Sequence, residues 1–425
     1  MHFLPNFTLE LARRKGLEIS IVLFDRKDFI QKGPRGCNLC AGVIAESLIQ
    51  RLERRGISLP PRKVQRKIGA YYFQLKSSGW LLKHPLKKDA ITTVFRGNGP
   101  RFSAQEGNIS FDDYLLEQIR RREGVEIVPC PVNRIELPPD LHNPVKIIYG
   151  SGDNQLSMEA ELVVCAFGLN SNLLNKIVKM GFGYVPPETV RARCMEIFLG
   201  EEIILEHFGN TIYICNWRSA GGMFYAGIIP KKDYLTMNVV GERDAGKNEL
   251  MKLLNLSEVR KRFPEGFKPP ENFCSCSPKV AFSAAKKPFT NRLVIIGDAC
   301  CSRYYKNGIE SAFLTAKAAA NAVFNAGVSE SDLRDEYCRK IKRLIIRDNF
   351  YGRILFKADE LVYRSPFLSK VLMRLAIDEE KRGKGGIASV ILWNMYTGNI
   401  PYRKIFRMAL TPAFWWKLII GVFSY

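Results

Sequence analysis

The sequence predicts an α/β protein with a Rossmann-like nucleotide-binding unit, an inserted antiparallel β-sheet and a helical C-terminal region. Three observations lead to this fold class: a helix, a glycine and an apolar strand that ends at Asp25, later apolar strands that end at Gly168 and Gly297, and β-rich runs within 190–229. The chain has 425 residues, of which 46% are hydrophobic and 25% charged. This composition is that of a globular protein with two or three domains.

The N-terminal region has the pattern of half a nucleotide-binding unit. Residues 7–15 form a predicted amphipathic helix that ends at Gly16, and the apolar run Leu17–Phe24 follows as a buried strand. In βαβ units an acidic residue at this strand's end binds ribose hydroxyls, which assigns that role to Asp25. No strand and no Gly-x-Gly-x-x-Gly segment precede Thr8, so the loop that cradles a pyrophosphate is absent from the sequence as given.

Later segments continue the same architecture. The predicted elements are a helix over Phe111–Arg122, strands over Val125–Pro129, Glu161–Phe167 and Arg292–Ile296, and a helix over Ile309–Phe324. The last of these strands leads through Gly297 and Asp298 into a loop that ends at Gly308. The helix after it is rich in small residues, so it can lie close to a sheet or cofactor with its N-terminus facing phosphate or flavin oxygen.

The positive charge is concentrated in two segments. The net charge is +22, and residues 51–101 carry thirteen Lys and Arg against two acids, while residues 381–425 carry seven and no acid. Both segments interleave these cations with Trp, Tyr, Phe and Leu, which is typical of a surface that lies on an anionic membrane. Nucleic acid is the rival partner, and solvated faces beside ordinary core aromatics are the simpler explanation. We favour the membrane surface over nucleic acid.

Cellular location and metal content follow from the termini and the cysteines. The N-terminus lacks a secretory signal, and the C-terminal apolar stretch is too short to span a membrane, which predicts a cytoplasmic protein, peripheral at most at the membrane's inner face. Eleven cysteines, an odd number with close pairs, fit free thiols better than a disulfide framework. With four histidines in the chain, a zinc site is disfavoured and we predict no metal.

Several motifs together resemble the geranylgeranyl reductase type of FAD-dependent oxidoreductase, over nearly the whole chain. The carriers are 25–29 (DRKDF), 36–42 (GCNLCAG), 111–116 (FDDYLL), 166–168 (AFG), 296–299 (IGDA) and 306–309 (KNGI). The C-terminal segments 392–398 and 401–403 are similar to a subgroup of bacterial reductase-like proteins. The resemblance implies FAD as the cofactor, with NADPH or a ferredoxin as the electron donor.

The resemblance also implies roles for individual residues. It places the following residues at the cofactor: Asp25, Arg26, Arg35, Gly36, Cys40, Gly42, Gly168, Gly297, Asp298, Asn307, Gly308 and Ile309. Cys37, Tyr305 and Lys306 are the candidate catalytic residues, because they are expected near the flavin and substrate. Simpler structural explanations also remain. Asp25 could be an ordinary acid at the end of a strand, Asp298 could cap the helix that follows, and the cysteines and the tyrosine could serve only in packing.

The implied domain organisation is discontinuous. The FAD-binding domain is predicted over 1–70, 102–188 and 277–328, the substrate-binding sheet over 71–101 and 189–276, and a helical, basic and aromatic region over 329–425.

The chain departs from the family pattern at three places. The phosphate loop is missing, Phe167 stands where an Asp is usual, and Asn108 stands where an Arg is common. We expect a start upstream of Met1 in preference to a degraded copy with weak FAD binding.

The function that this resemblance implies is reduction of C=C bonds in an isoprenoid or other hydrophobic, lipid-like substrate. Reduced flavin would supply the hydride and a nearby acid the proton, with the substrate in an apolar tunnel. Two alternatives stay open. One is a flavin-dependent monooxygenase or halogenase, although the Trp-x-Trp-x-Ile-Pro segment of halogenases is absent. The other is a non-catalytic homologue that binds a membrane surface.

Overall fold

The computed structural model describes residues 2–74, 79–219, 222–304, 308–382 and 386–423. Its helices are α1 (Leu4–Arg14), α2 (Glu46–Glu53), α3 (Phe111–Arg120), α4 (Leu173–Lys179), α5 (Glu201–His207), α6 (Lys247–Asn255), α7 (Ser257–Arg260), α8 (Gly308–Asn325), α9 (Glu330–Asp332), α10 (Arg339–Ile341), α11 (Arg347–Arg364), α12 (Pro366–Lys381), α13 (Ile387–Thr397), α14 (Tyr402–Ala409) and α15 (Pro412–Phe423). Leu333–Cys338 and Lys342–Ile346 are π-helical.

The strands are short, as expected for a mixed fold. They are β1 (Ile21–Phe24), β2 (Val43–Ile44), β3 (Arg66–Ile68), β4 (Ala70–Gln74), β5 (Gly79–Lys83), β6 (Ile91–Thr93), β7 (Val125–Val128), β8 (Val132–Glu136), β9 (Val145–Ser151), β10 (Asn154–Ala160), β11 (Val163–Cys165), β12 (Thr189–Arg191), β13 (Arg193–Phe198), β14 (Thr211–Ser219), β15 (Gly222–Pro230), β16 (Tyr234–Gly241), β17 (Cys274–Cys276), β18 (Lys279–Ala281), β19 (Phe289–Thr290) and β20 (Leu293–Ile295).

The chain forms two compact units. The first comprises 1–31, 111–189 and 279–347, and the second comprises 32–110, 190–278 and 348–425. Residues 32–70 and 102–110 thus belong to the same unit as the large sheet, and so do the helices after residue 347. The domain boundaries expected from the sequence instead assign 32–70 and 102–110 to the FAD-binding domain and 329–425 to a separate helical region.

The first unit contains parallel strand pairs. β1 pairs with β7, and β11 pairs with β20, which also pairs with β19 in the antiparallel sense. A separate meander has the order β10-β9-β8. Helix α1 packs against α8, where the rings of Phe3 and Phe7 contact the edge of Phe313 at centroid distances of 5.4 and 5.1 Å. The parallel pairs and the helix contact give this unit its α/β character.

The predicted helix before Asp25 is present, but the strand after it is shorter than predicted. Gly16 has a φ of +64°, as a helix-ending glycine should. The amide of Leu17 then donates to the carbonyl oxygen of Ala12, so this residue continues the helix cap, and its side chain is 52% exposed. The strand therefore begins at Ile21 instead of Leu17.

The second unit is built on a seven-stranded sheet with the order β17-β13-β16-β15-β14-β4-β5. Most neighbours are antiparallel, and β14 and β4 are parallel. One face packs into an apolar core together with α5, α6 and α7, and Met195, Phe224 and Met237 are fully buried there. A smaller sheet, β2-β6-β3, belongs to the same unit.

The opposite face of the seven-stranded sheet, called the open face here, carries the alternate residues. One row of paired positions across it runs Cys276, Cys194, Asn238, Gly227, Ile214, Phe73 and Trp80. Helix α13 covers one end of this face, where Trp393 and Tyr396 contact the ring of Tyr71. Because side chains alternate along a strand, polar groups on this face point away from the apolar core.

Within the part of the chain that the structure describes, no helix is both long enough and apolar enough to cross a membrane.

Candidate functional site

The turn after β20 is the best-defined polar site in the first unit. Gly297, with a φ of +73°, leads from the buried strand into Asp298, and its amide donates to Thr315 Oγ1 of α8 over 2.8 Å. This buried hydrogen bond fixes the turn on the helix. The position of Asp298 is therefore set by a strand on one side and a helix on the other.

Two further glycines leave space around the Asp298 carboxylate. A Cβ atom added at Gly168 would lie 3.3 Å from its Oδ1, and one added at Gly308 would lie 3.1 Å from its Oδ2. Gly168 also has a φ of +70°, which a side chain disfavours. The structure thus brings together Gly168, Asp298 and Gly308, three of the predicted cofactor residues from distant parts of the sequence. Ile309, beside them in the chain, is a buried residue of α8.

Asp25 lies at the carboxyl end of β1, as predicted, and is largely buried. The amide of Lys27 donates to its Oδ1 over 3.0 Å, and His2 Nε2 is 3.7 Å from its Oδ2. Burial raises the pKa of the Asp25 carboxyl group, and the nearby negative charge of Asp112 acts in the same direction, while the amide of Lys27 opposes it. Arg26, the next residue, is exposed. No local sequence pattern predicts the histidine beside Asp25.

The remaining predicted residues fall into two groups. Arg35, Gly36, Cys37, Cys40 and Gly42 belong to the second unit, so their roles at a flavin stay predictions. Tyr305, Lys306 and Asn307 lie outside the described residues.

The segment 36–42, which contains these glycines and cysteines, packs closely against neighbouring backbone. Gly42 has a φ of +74°, and a Cβ atom there would lie 1.9 Å from the carbonyl oxygen of Val94. A Cβ atom at Gly97 would lie 2.4 Å from the carbonyl oxygen of Gly36. Close backbone packing alone therefore requires glycine at positions 42 and 97.

The open face of the sheet carries a buried ion pair between Lys231 and Glu196, which the sequence does not predict. Lys231 Nζ lies 3.3 Å from Glu196 Oε1 and 3.9 Å from the ring centroid of Phe95, and Thr236 Oγ1 donates to Glu196 Oε2 over 2.7 Å. Burial raises the pKa of the Glu196 carboxyl group, and the Lys231 ammonium opposes that shift. A single carboxylate within an apolar strand, Met195-Glu196-Ile197, was the available sequence signal.

Cys194 and Cys276 face each other beside this ion pair, on neighbouring strands. The hydrogen bond between the two thiols lowers the pKa of Cys276, and the same bond raises that of Cys194. Cys40 lies close enough to Cys194 to contribute to its raised pKa. Among the described residues, no three His, Cys, Asp or Glu side chains are arranged to hold a metal ion.

The two substitutions that depart from the family pattern have structural roles. Phe167 packs against apolar residues around Leu169. Asn108 accepts hydrogen bonds from the buried Lys63 ammonium, at its carbonyl oxygen over 2.7 Å and at its Oδ1 over 3.0 Å.

Comparison with known proteins identifies the fold. No protein-family model and no curated protein matches the sequence. Solved structures do match: a geranylgeranyl bacteriochlorophyll reductase-like protein from Thermoplasma acidophilum has a TM-score of 0.64 at 13% identity, covering 95% of each chain. The p-nitrophenol 4-monooxygenase of Pseudomonas putida has a TM-score of 0.55 at 15% identity, covering 89% of this chain and 95% of that chain.

A flavin-dependent halogenase is also similar, with a TM-score of 0.55 and 16% identity. That match covers 82% of this chain, which spans 61% of the halogenase. The chain therefore has the fold shared by this reductase-like protein, this monooxygenase and this flavin-dependent halogenase.

Proposed function

We propose that this protein is an FAD-dependent oxidoreductase that reduces C=C bonds of an isoprenoid or other hydrophobic, lipid-like substrate. The observation that carries the proposal is the Asp298 turn, framed by Gly168 and Gly308, in a fold that flavin-dependent enzymes share. FAD, when bound, supplies hydride transfer. NADPH or a ferredoxin is the proposed electron donor.

The residues of the first unit fit two parts of the cofactor. Asp298, with open space beside two glycines, suits the hydroxyl groups of the ribityl chain, and Asp25 at a strand's carboxyl end suits the ribose of the adenosine part. The sequence carries no Gly-x-Gly-x-x-Gly segment, so no residues are assigned here to the pyrophosphate. These assignments predict separate effects on the two ends of the cofactor.

Flavin titration tests the assignments directly. We expect Asp298→Ala to weaken binding of both FAD and FMN about tenfold or more, since one charge-assisted hydrogen bond is lost from a part they share. Asp25→Ala should weaken binding of FAD alone, because FMN has no adenosine ribose. Asp153→Ala, in an exposed turn, is the matched control. Equal FAD affinity in all four proteins, or no flavin binding by the wild type, contradicts the proposal.

A monooxygenase is the second candidate, supported by the likeness to the p-nitrophenol 4-monooxygenase. Oxygen consumption separates the two reactions. A reductase consumes the electron donor in step with the loss of substrate double bonds under nitrogen, whereas a monooxygenase requires oxygen for turnover.

The C-terminal helices support association with an anionic membrane surface. Helix α14 exposes Arg403, Lys404 and Arg407 and buries Tyr402 and Ile405. Helix α15 exposes large apolar side chains, each 45–65% accessible: Trp415, Trp416, Ile419 and Ile420. Cations beside exposed indole rings fit the headgroup region of an anionic bilayer.

Vesicle flotation tests this association. We expect the protein to float with phosphatidylcholine vesicles that contain phosphatidylglycerol and to remain unbound without it. W415S/W416S should abolish flotation, whereas Phe102→Ser, which removes another exposed aromatic ring, should not. If both variants float equally well, the C-terminal helices are not the membrane-binding surface. If the protein binds DNA in a salt-dependent way and does not bind vesicles, the nucleic-acid alternative is favoured.

A further inference from the structure

Two cysteines face each other at one edge of the seven-stranded sheet. Cys194 of β13 is paired directly with Cys276 of β17, and β17 is the edge strand of that sheet. Directly paired residues of an antiparallel ladder point to the same side, so both thiols lie on the open face. The fold thus brings together two thiols that are far apart in the sequence.

The backbone spacing of this pair suits a disulfide. Ala192 and Pro278 lie two residues beyond the pair on the two strands, and the amide of Ala192 donates to the carbonyl oxygen of Pro278 over 2.8 Å. Because hydrogen-bonded and non-hydrogen-bonded pairs alternate, Cys194 and Cys276 also form a hydrogen-bonded pair, with Cα atoms about 5.5 Å apart. Disulfides usually join residues whose Cα atoms are about 4.4–6.8 Å apart. The two sulfurs can therefore bond without a large backbone shift.

The two thiols differ in access and in acidity. Cys194 is 4% exposed, whereas Cys276 is partly exposed on the edge strand. The hydrogen bond that Cys194 donates lowers the pKa of Cys276, and burial opposes this shift. Among nearby charged groups, Glu196 also raises that pKa, whereas Arg193 and Lys231 lower it. Since the thiolate is the reactive form of cysteine, Cys276 is the nucleophile of the pair and Cys194 its protonated neighbour.

Solvent access distinguishes this pair from a second pair of close thiols, Cys300 and Cys301. Their sulfurs are 3.8 Å apart, but the two residues are 1% and 0% exposed. The hydrogen bond to Cys300 and burial both raise the pKa of Cys301. A protonated thiol that solvent does not reach is inert toward a dissolved oxidant. Closeness of two sulfurs is therefore insufficient for reaction, and Cys276 combines it with access.

We propose that Cys276 and Cys194 are a peroxide-reactive pair that forms a disulfide across the edge of the sheet. The Cys276 thiolate attacks one oxygen of hydrogen peroxide, the O–O bond breaks, and a sulfenic acid and hydroxide form. The Cys194 thiol then attacks the sulfenic sulfur, so that the S–S bond forms and water leaves. The hydroxide takes up the proton that Cys276 had released, which gives a second water molecule. The two thiols lose two electrons and the peroxide gains them.

This inference goes beyond the proposed function and does not depend on it, because no flavin takes part. The flavin titrations and the thiol chemistry therefore succeed or fail separately.

Peptide mapping of the full wild-type chain tests the proposal. Reduced protein is treated with hydrogen peroxide, alkylated with iodoacetamide in urea without reductant, digested with trypsin and analysed by mass spectrometry. We expect peptides 194–218 and 263–279 to be cross-linked. Each of them holds a second cysteine, so fragment ions must place the bridge between Cys194 and Cys276. Alkylation of both thiols should fall about tenfold or more and return after dithiothreitol.

Several results of this experiment overturn the proposal. Cys276 can stay reduced, stop at a sulfenic or sulfinic acid without bridging, or bridge to Cys40, which also lies near Cys194. A denatured mass of two chains contradicts a bridge within one sheet. Oxidation of Cys300 and Cys301 as readily as of Cys276 shows that access does not govern the reaction.

Two cysteines of β17 provide a matched pair of variants. Cys274 lies two residues before Cys276 and is paired with Glu196 of β13. Cys274→Ser should retain the bridge, whereas Cys276→Ser should leave Cys194 reduced and fully open to alkylation in urea. Loss of the bridge in both variants alike, or oxidation of Cys194 in Cys276→Ser, overturns the assignment. If neither variant folds, the peptide map of the wild type decides the proposal by itself.

Discussion

Asp359 should make the stability of this protein depend on pH between about pH 4 and pH 6. Burial raises the pKa of its carboxyl group from 3.8 to about 6, although the hydrogen bond from Tyr396 opposes the shift. At about 1.4 kcal/mol per tenfold change in the ionisation constant, the folded state disfavours the ionised form by about 3 kcal/mol. Since the folded protein binds this proton more tightly, the contribution to stability is complete below pH 3.8 and is lost as pH rises through 6.

Asp359→Asn tests this reasoning, because the amide can accept the hydrogen bond from Tyr396 but does not ionise. Relative to wild type, the variant should gain about 3 kcal/mol in the free energy of unfolding between pH 4 and pH 7. Urea denaturation of both proteins at a series of pH values measures the difference. Asp378→Asn, at an exposed position of α12, should change stability by no more than about 0.5 kcal/mol throughout. A constant difference between wild type and Asp359→Asn across this range refutes the reasoning.

Three further substitutions probe backbone space, charge pairing and hydrogen bonding, each by urea denaturation. Gly42→Ala should destabilise the protein by about 3 kcal/mol or more, because its Cβ atom would collide with a carbonyl oxygen; a neutral effect refutes the close approach. Lys231→Met should cost about 3–5 kcal/mol by leaving Glu196 buried without its cation, and adding Glu196→Gln should restore most of it. Thr315→Val should cost about 1–2 kcal/mol through the lost bond to Gly297, while Thr315→Ser retains stability.

Local signals in the sequence were sufficient for the elements around Asp25 and Asp298. A glycine after an amphipathic run marked the end of α1, and apolar runs ending in glycine marked β11 and β20 within a residue or two. The predicted start of β1 was wrong, because the amide of Leu17 caps α1 by donating to Ala12 and the pairing with β7 begins only at Ile21. Hydrophobic periodicity does not contain that information.

The polar cluster of Asn216, Asp359 and Tyr396 could not be predicted, because its residues come from separate elements. Asp359 and Tyr396 lie on two different helices, and Asn216 is on a sheet strand far earlier in the chain. Each looks ordinary in its own segment: an acid in a charged helix, a tyrosine in an apolar helix and an asparagine in a β-strand. Their juxtaposition depends on how helices pack over the sheet, which no local pattern encodes.

The surface cations and the buried acids contribute differently to the pH dependence of this protein. The excess of Lys and Arg describes the surface, whereas Asp25, Glu196 and Asp359 all have a pKa raised chiefly by burial. Lys231 partly compensates Glu196, and a backbone amide partly compensates Asp25. Asp359 receives a neutral phenol, so its pKa moves to about 6, where both protonation states are populated near neutral pH. Near neutral pH, Asp359 is therefore the one of these groups with a stated pKa close to the ambient pH, while the surface Lys and Arg stay charged.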